Sequence, residues 1–162
     1  MNILFCCLFA TLNATVGELP PCDYADTEVS TNFPVTVDFS EMSRIEFTLA
    51  FAASPSNAVE VAIGTDADGD GDLSVEEAAY AFGCDCGTWF CRNAVDDRLQ
   101  VLGTVPETAL ASADRVSRRF VLKKTRLDTD WNLAKVTRRG SAAILECAEA
   151  NGAFPRSVFI LK

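Results

Sequence analysis

Alternation of apolar and polar residues is the feature that most restricts the fold of this 162-residue chain. Apolar side chains take every second position from Phe33 to Phe39, from Ile45 to Phe51 and from Val59 to Ile63. A period of two places successive side chains on opposite faces of a strand, so each stretch predicts a β-strand with one buried face. The early part of the chain therefore favours an all-β fold.

Short apolar segments separated by Gly, Pro, Asp or Asn continue this pattern and predict further strands. Residues 85–87 predict a hairpin turn in which Gly87 can adopt a positive φ. The segment from Pro106 to Ser117 lacks alternation and predicts a linker or one short helix. An all-β domain follows, a β-sandwich or jelly roll of about nine or ten short strands. The further strands are predicted at residues 78–84, 88–93, 98–102, 118–127, 130–138, 141–147 and 157–161.

An apolar run at residues 3–12 has the length of a signal-peptide core and is too short to span a bilayer as a helix. Residues 1–17 are therefore predicted to be a signal peptide and residues 18–162 one domain, secreted or on the extracellular surface. No Lys or Arg precedes the run, which departs from the usual pattern, and the alternative is an N-terminal strand or helix packed on the domain. No other segment predicts a transmembrane span.

The charge of the chain restricts its partners. A formal net charge of −9 argues against nucleic-acid binding, which needs a surplus of Lys and Arg. Residues 1–112 carry a net charge of −15 and residues 113–162 carry +6. This split predicts either head-to-tail contact between copies of the chain or neutralisation of the two halves within one fold.

Five cysteines follow the predicted signal peptide, and in an exported protein they predict disulfides with one thiol left over or paired between chains. An alternative is a zinc site built on the C-x-C-x4-C spacing. Because the chain has no histidine, that site would need a fourth thiolate from elsewhere in the chain. The five are Cys22, Cys84, Cys86, Cys91 and Cys147.

Residues 66–77 read Asp-Ala-Asp-Gly-Asp-Gly-Asp-Leu-Ser-Val-Glu-Glu and follow directly after a predicted strand. Calcium is a hard cation that takes six to eight oxygens, so alternating carboxylates on a tightly turning backbone can surround it. An acidic surface turn that binds nothing is the alternative, but closely spaced aspartates repel one another unless a cation or solvent screens them. The segment predicts a calcium loop inserted in the β domain.

These twelve residues resemble the calcium loop of EF-hand and dockerin proteins. The resemblance implies that Asp66, Asp68 and Asp70 each supply a side-chain oxygen. It also implies that Asp72 supplies its backbone carbonyl, Ser74 a contact through water, and Glu77 both carboxylate oxygens. Gly71 would make the sharp turn and Leu73 would anchor the loop to the core. Residues 58–64, before the loop, alternate as a strand where an EF-hand has a helix, and only Ser74 to Ala79 could form a short helical turn after it, which favours a structural ion over a sensor.

The segment from Trp131 to Gly140 reads Trp-Asn-Leu-Ala-Lys-Val-Thr-Arg-Arg-Gly and loosely resembles a strand of concanavalin-like jelly rolls. That resemblance implies a sugar-binding or adhesive role. The alternative is that Trp131 is an ordinary core aromatic and that Arg138 and Arg139 are a solvated strand end.

Signals for catalysis are weak. Without histidine there is no Ser-His or Cys-His pair, and no phosphate-binding glycine loop occurs, so the chain is not predicted to be an enzyme. The alternative enzyme is a hydrolase with paired carboxylates. The sequence predicts a secreted, calcium-stabilised structural or adhesive module of a cell surface or extracellular assembly. The second prediction is a calcium-dependent carbohydrate-binding domain, with glycans as its partners.

Overall fold

A computed structural model describes residues 15–16, 19, 22, 24, 28–37, 44–93, 98–123, 130–140 and 144–149. Within these ranges the chain is mostly β-strand, and the only helix is short. The predicted all-β fold is confirmed. The strands are β1 (Thr15–Val16), β2 (Val29–Val37), β3 (Arg44–Ala52), β4 (Ala58–Gly64), β5 (Ala78–Asp85), β6 (Thr88–Asn93), β7 (Arg98–Thr104), β8 (Arg115–Lys123), β9 (Trp131–Arg139) and β10 (Ile144–Glu149), and the helix is α1 (Glu107–Ser112).

The strands form two antiparallel sheets, as expected for a sandwich. The larger sheet has the order β1-β7-β6-β5-β4-β9-β2, and the smaller has the order β10-β3-β8. Strand β4 is hydrogen-bonded on both sides, to β5 and to β9. The acidic segment that follows β4 therefore leaves the sheet from one of its inner strands.

The hydrophobic core lies between the two sheets. On β4 the side chains of Val59, Val61 and Ile63 are almost fully buried and belong to the core cluster. Aromatic rings join the sheets: the centroid of the Phe82 ring lies 4.6 Å from that of Phe120 on β8. Because strand side chains alternate between faces, Glu60 and Ala62 lie on the opposite, outer face of the larger sheet.

Most of the predicted elements are found near their expected bounds. The non-alternating segment contains α1, and β9 covers Trp131, whose side chain is 2% exposed and packs against Tyr80. The strand predicted at residues 118–127 begins earlier, at Arg115, where it pairs with β3. Its first residues are mostly exposed and polar, so their sequence shows little of the apolar alternation on which the prediction was based. The strand predicted at residues 157–161 lies outside the described residues.

The predicted signal peptide lies mostly outside the described residues. Thr15 and Val16 form β1 and pair with Val101 and Gln100 of β7. The presence of a leader and its cleavage point therefore stay predictions. Among the described residues, no helix has the length and apolar character needed to cross a membrane.

Three of the four cysteines whose side chains the structure describes are in disulfides. Cys22 is bonded to Cys86, and Cys91 is also disulfide-bonded. Cys84 is a buried free thiol, and burial raises its pKa to about 12. Because two cysteines of the C-x-C-x4-C pattern are oxidised, the alternative of a zinc site there is wrong. Cys86 and Gly87 both have positive φ, 43° and 80°, as a two-residue type I′ hairpin turn requires.

Ion pairs connect the acidic and the basic halves of the chain within one fold. Three pairs among the described residues each join an acid from the first half to a base from the second. The arrangement supports neutralisation inside one molecule, the second reading of the charge split. The pairs are Glu46 with Arg119, Asp72 with Lys135, and Glu28 with Arg139.

Candidate functional site

The acidic loop connects β4 to β5, and both of its ends are fixed to the sheet. The N–H of Thr65 donates to the carbonyl of Glu77 at 3.2 Å, and the N–H of Ala78 donates to the carbonyl of Ser74 at 3.1 Å. The β4–β5 register shifts between Ile63 and its neighbour, where the strands meet the loop. Strands flank the loop on both sides, as its sequence predicts.

Three of the predicted ligands lie together at the start of the loop. Carboxylate oxygens of Asp66, Asp68 and Asp70 all lie within 4.8 Å of one another. Backbone N–H groups orient all three carboxylates, and Asp70 accepts from the N–H of Asp72 at 2.7 Å. Asp66 accepts from Gly69 at 2.8 Å and from Gly71 at 3.1 Å, while Asp68 accepts from the N–H of Asp70 at 3.1 Å. Gly71 has a φ of +82°, which fits the sharp turn expected there.

The spacing of these oxygens fits a calcium ion. Calcium–oxygen bonds are about 2.3 to 2.6 Å long, so two oxygens on one ion can be up to about 5 Å apart. The 4.8 Å limit on the three aspartates lies inside that range. The three carboxylates are therefore close enough to one another to share a divalent cation.

Glu77 stands beside this cluster but is not part of it. One carboxylate oxygen accepts from the N–H of Ala67 at 2.8 Å, and the other accepts from Ser74, at 3.1 Å from N–H and 2.8 Å from the hydroxyl. The bond from Ala67, followed by those from Ser74, lowers the pKa of Glu77. The side chain is thus held ionised against the first and last parts of the loop.

The carboxylate of Asp72 is held by two other strands and is not part of the cluster either. Lys135 of β9 approaches it at 2.8 Å, and the amide of Asn32 of β2 donates to it at 2.8 Å. These bonds, the one from Lys135 first, lower the pKa of Asp72. With its side chain engaged in this way, Asp72 can offer an ion its backbone carbonyl, which is the role that the resemblance implies.

Asn132 of β9 and Asp130, the residue just before β9, also hold the front of the loop. The N–H of Asp66 donates to the side-chain oxygen of Asn132 at 2.8 Å, and the Thr65 hydroxyl donates to the carbonyl of Asp130 at 2.9 Å. Sequence reasoning missed this support, as it missed Asn32 and Lys135. In the sequence, these polar residues stand beside apolar residues of a strand. That pattern predicts that their side chains point away from the core, but it does not predict which residues they contact.

The second half of the loop forms one wall of a pocket on the outer face of the larger sheet. The pocket has a volume of about 260 Å³. Leu73 is only 2% exposed and Val75 is 77% exposed, although both line the pocket. Leu73 is buried as expected, but it lies against this outer face and does not belong to the main core cluster. Other lining residues are Glu60, Ala62, Ala81, Arg92, Lys135 and Thr137.

Strand register explains why a hollow exists on this sheet face. Lys135, Ala62, Ala81 and Arg92 occupy one cross-strand row over β9, β4, β5 and β6. Neighbouring strands are about 4.8 Å apart, so the two basic residues are roughly 14 Å apart at Cα. Two small side chains between two long ones leave an open trough with a cation at each end.

Glu60 places an acid in the same pocket. Burial is the largest influence on its carboxyl and raises its pKa; Arg92 and Arg139 oppose this, while Asp85 and Glu28 add to it. Among the described residues, the side chains of Glu60 and Arg92 make no hydrogen bond or ion pair. The pocket therefore holds one acid and one base whose charges attract each other, and no hydrogen bond joins either side chain to another described residue.

Replacing Glu60 with glutamine should make the protein more stable near neutral pH. Its pKa is raised above the ordinary 4.5, so the folded protein keeps the proton to higher pH than the unfolded chain, and the wild type loses stability as pH rises past that value. Urea denaturation should show Glu60→Gln above wild type at about pH 7, with the gap closing by about pH 4. The exposed control Glu76→Gln should show no such gap; equal stability of Glu60→Gln and wild type at both pH values would contradict the assignment.

No known family, curated protein or solved structure matches this chain. Its function must therefore be inferred from the residues of the loop and the pocket.

Proposed function

We propose that this chain is a secreted or surface-exposed structural or adhesive module stabilised by one calcium ion bound in loop 66–77. The observation that carries the proposal is the convergence of Asp66, Asp68 and Asp70, whose oxygens lie within 4.8 Å of one another. The Cys22–Cys86 disulfide supports export, because disulfides persist in oxidising compartments outside the cytosol.

The proposed ligands divide into those already together and those close by. The three clustered aspartates would hold the ion, and Glu77 would turn its carboxylate from the N–H groups of the loop toward them. Asp72 would add its carbonyl, and Ser74 a contact through water, as the resemblance to EF-hand and dockerin loops implies. Binding would remove repulsion among acids that otherwise opposes folding, so part of the binding free energy would stabilise the fold.

A structural role is favoured over a sensor role by what flanks the loop. A calcium sensor of the EF-hand type changes the angle between two helices when the ion binds. In the described part of this chain the loop is flanked by β4 and β5, both inside the larger sheet. Ion binding would therefore fasten two neighbouring strands and leave little to move.

Calcium should raise the melting temperature, and EDTA should reverse the effect. Extracellular modules bind calcium with Kd of about 10⁻⁴ to 10⁻³ M, so about 10 mM calcium should add roughly 1.4 to 2.7 kcal/mol, or about 3 to 11 °C. Differential scanning calorimetry with calcium and with EDTA measures the shift. Magnesium should give less, because it demands a smaller octahedral site.

Matched variants separate loop binding from general salt effects. Asp68→Asn removes a carboxylate of the cluster and should lose most of the calcium shift. Asp114→Asn makes the same change at an exposed position after α1 and should keep the full shift. Identical melting curves with calcium and EDTA, or an undiminished shift in Asp68→Asn, would rule out the proposed site.

A second candidate is a calcium-dependent carbohydrate-binding domain. The favouring observation is the pocket beside the loop, since Leu73, Ser74 and Val75 belong both to the loop and to the pocket wall. A glycan array with and without calcium separates the two candidates. A purely structural module should bind no sugar selectively.

A further inference from the structure

We propose that the outer-face pocket binds a small organic carboxylate that also carries a hydrogen-bond donor, either a sugar acid or an amino acid. The inference deepens the second candidate function if the ligand is a sugar acid, and it stands without that function if the ligand is an amino acid. It is carried by Glu60 and Arg92, an acid and a base that line one pocket and attract each other there without a hydrogen bond to any described residue.

Arg92 is the cation available to a ligand in this pocket. Lys135 lies 2.8 Å from Asp72, and Arg139 lies 2.7 Å from Glu28, so both other basic residues are already engaged. Arg92 makes no such ion pair among the described residues, and the charge that it acts on is that of Glu60 in the same pocket. A guanidinium binds a carboxylate through two parallel N–H bonds, so Arg92 favours a carboxylate-bearing ligand.

Glu60 selects what else the ligand must carry. Its carboxyl group lies on β4, one strand from Ala81 and two strands from Arg92, on the same sheet face. A partly buried carboxyl that lacks a partner gains most from a donor, because an unmade hydrogen bond there is costly. A hydroxyl or an ammonium group on the ligand would supply that donor while its carboxylate lies at Arg92.

The size and rim of the pocket restrict the ligand to a small molecule. Drug-sized ligands occupy pockets of about 300 to 1,000 Å³, and this one is about 260 Å³. The small side chains of Ala62 and Ala81 lie at the bottom of the pocket, and the exposed Val75 offers an apolar contact at its rim. A single sugar ring or one amino acid fits these limits better than a chain of several units.

Titration calorimetry of the full chain tests the inference with three probes: D-glucuronate, L-serine and neutral D-glucose. At least one of the two carboxylates should bind at least about tenfold more tightly than glucose, since a hydrogen bond to a charged group is worth more than a neutral one. If glucose bound as tightly as the tighter-binding carboxylate, the carboxylate assignment would be overturned and the carbohydrate-binding candidate would be left standing. Failure of both carboxylates to bind at about 10 mM would overturn the inference. Neither result touches the calcium proposal, which the melting experiments test.

Variants then locate the site. Arg92→Gln should lower the affinity for the probe that binds by about tenfold to a hundredfold, whereas Arg98→Gln, an exposed position at the start of β7, should leave that affinity unchanged.

Glu60→Gln should lower the affinity for serine by about tenfold or more and that for glucuronate by much less, because an amide can accept from a hydroxyl but cannot pair with an ammonium. Circular dichroism confirms that each variant is folded. An unchanged affinity in Arg92→Gln, or for serine in Glu60→Gln, would refute the roles given to these residues.

Discussion

Truncating Leu73 to alanine is expected to destabilise the protein by about 2 to 5 kcal/mol, as for other buried leucines. Leu73 is 2% exposed, its N–H donates to Asn32 at 3.3 Å, and its carbonyl accepts from Lys135 at 3.3 Å. The side chain therefore fills space beneath the loop while the backbone is tied to β2 and β9. Its removal would leave a cavity at the point where the loop meets the sheet.

Val75 supplies the matched control for this change. It lies two residues further along the same loop and is 77% exposed, so Val75→Ala should alter stability by less than about 0.5 kcal/mol. Chemical denaturation of both variants in EDTA gives the two free energies of unfolding without a contribution from calcium. Similar values for Leu73→Ala and Val75→Ala would mean that Leu73 does not anchor the loop.

A methyl group on Gly64 should cost about 2 to 4 kcal/mol, because nothing nearby can yield without moving backbone. The added carbon would press on the carbonyl oxygen of Glu77 and approach the Cα of Ala78 to 2.9 Å. That carbonyl accepts the N–H of Thr65, so the substitution would also break the bond that closes the loop. Gly64→Ala should therefore reduce the calcium-dependent rise in melting temperature as well as the stability without calcium.

Ala62→Ser controls for an added heavy atom on the same strand. Ala62 faces the open pocket, so the extra oxygen meets solvent, and the change should cost less than about 0.5 kcal/mol. Calorimetry with and without calcium measures both variants. Gly64→Ala could instead have the same melting temperature as Ala62→Ser and keep the full calcium-dependent rise. The close contact between β4 and the end of the loop would then contribute neither to stability nor to calcium binding.

The strands were predictable because their cause is local. Val59, Val61 and Ile63 must share one face of any strand, and they do so in β4. The loop was predictable for the same reason: the spacing of Asp66, Asp68 and Asp70 already brings their carboxylates near one turning backbone. Whether an ion binds there stays a prediction.

Features that depend on distant residues were not predictable from the sequence. No local pattern shows that Lys135 approaches Asp72 or that Asn132 accepts from Asp66, because register between β4 and β9 decides both. The pocket depends even more on the arrangement of distant strands. Its row of Lys135, Ala62, Ala81 and Arg92 gathers one residue from each of four strands, so only the sheet order reveals it.

The bond between Cys22 and Cys86 joins residues 64 positions apart in sequence, and the exposed tip of the acidic loop lies between them. If a protease cut the chain at the loop, the Cys22–Cys86 disulfide would therefore still hold the two fragments together. The nicked protein would run as one species until a reductant was added, and the sheet would hold its shape around the gap. A cut in this exposed loop would therefore escape a non-reducing gel, and only reduction, or the added mass of one water, would reveal it.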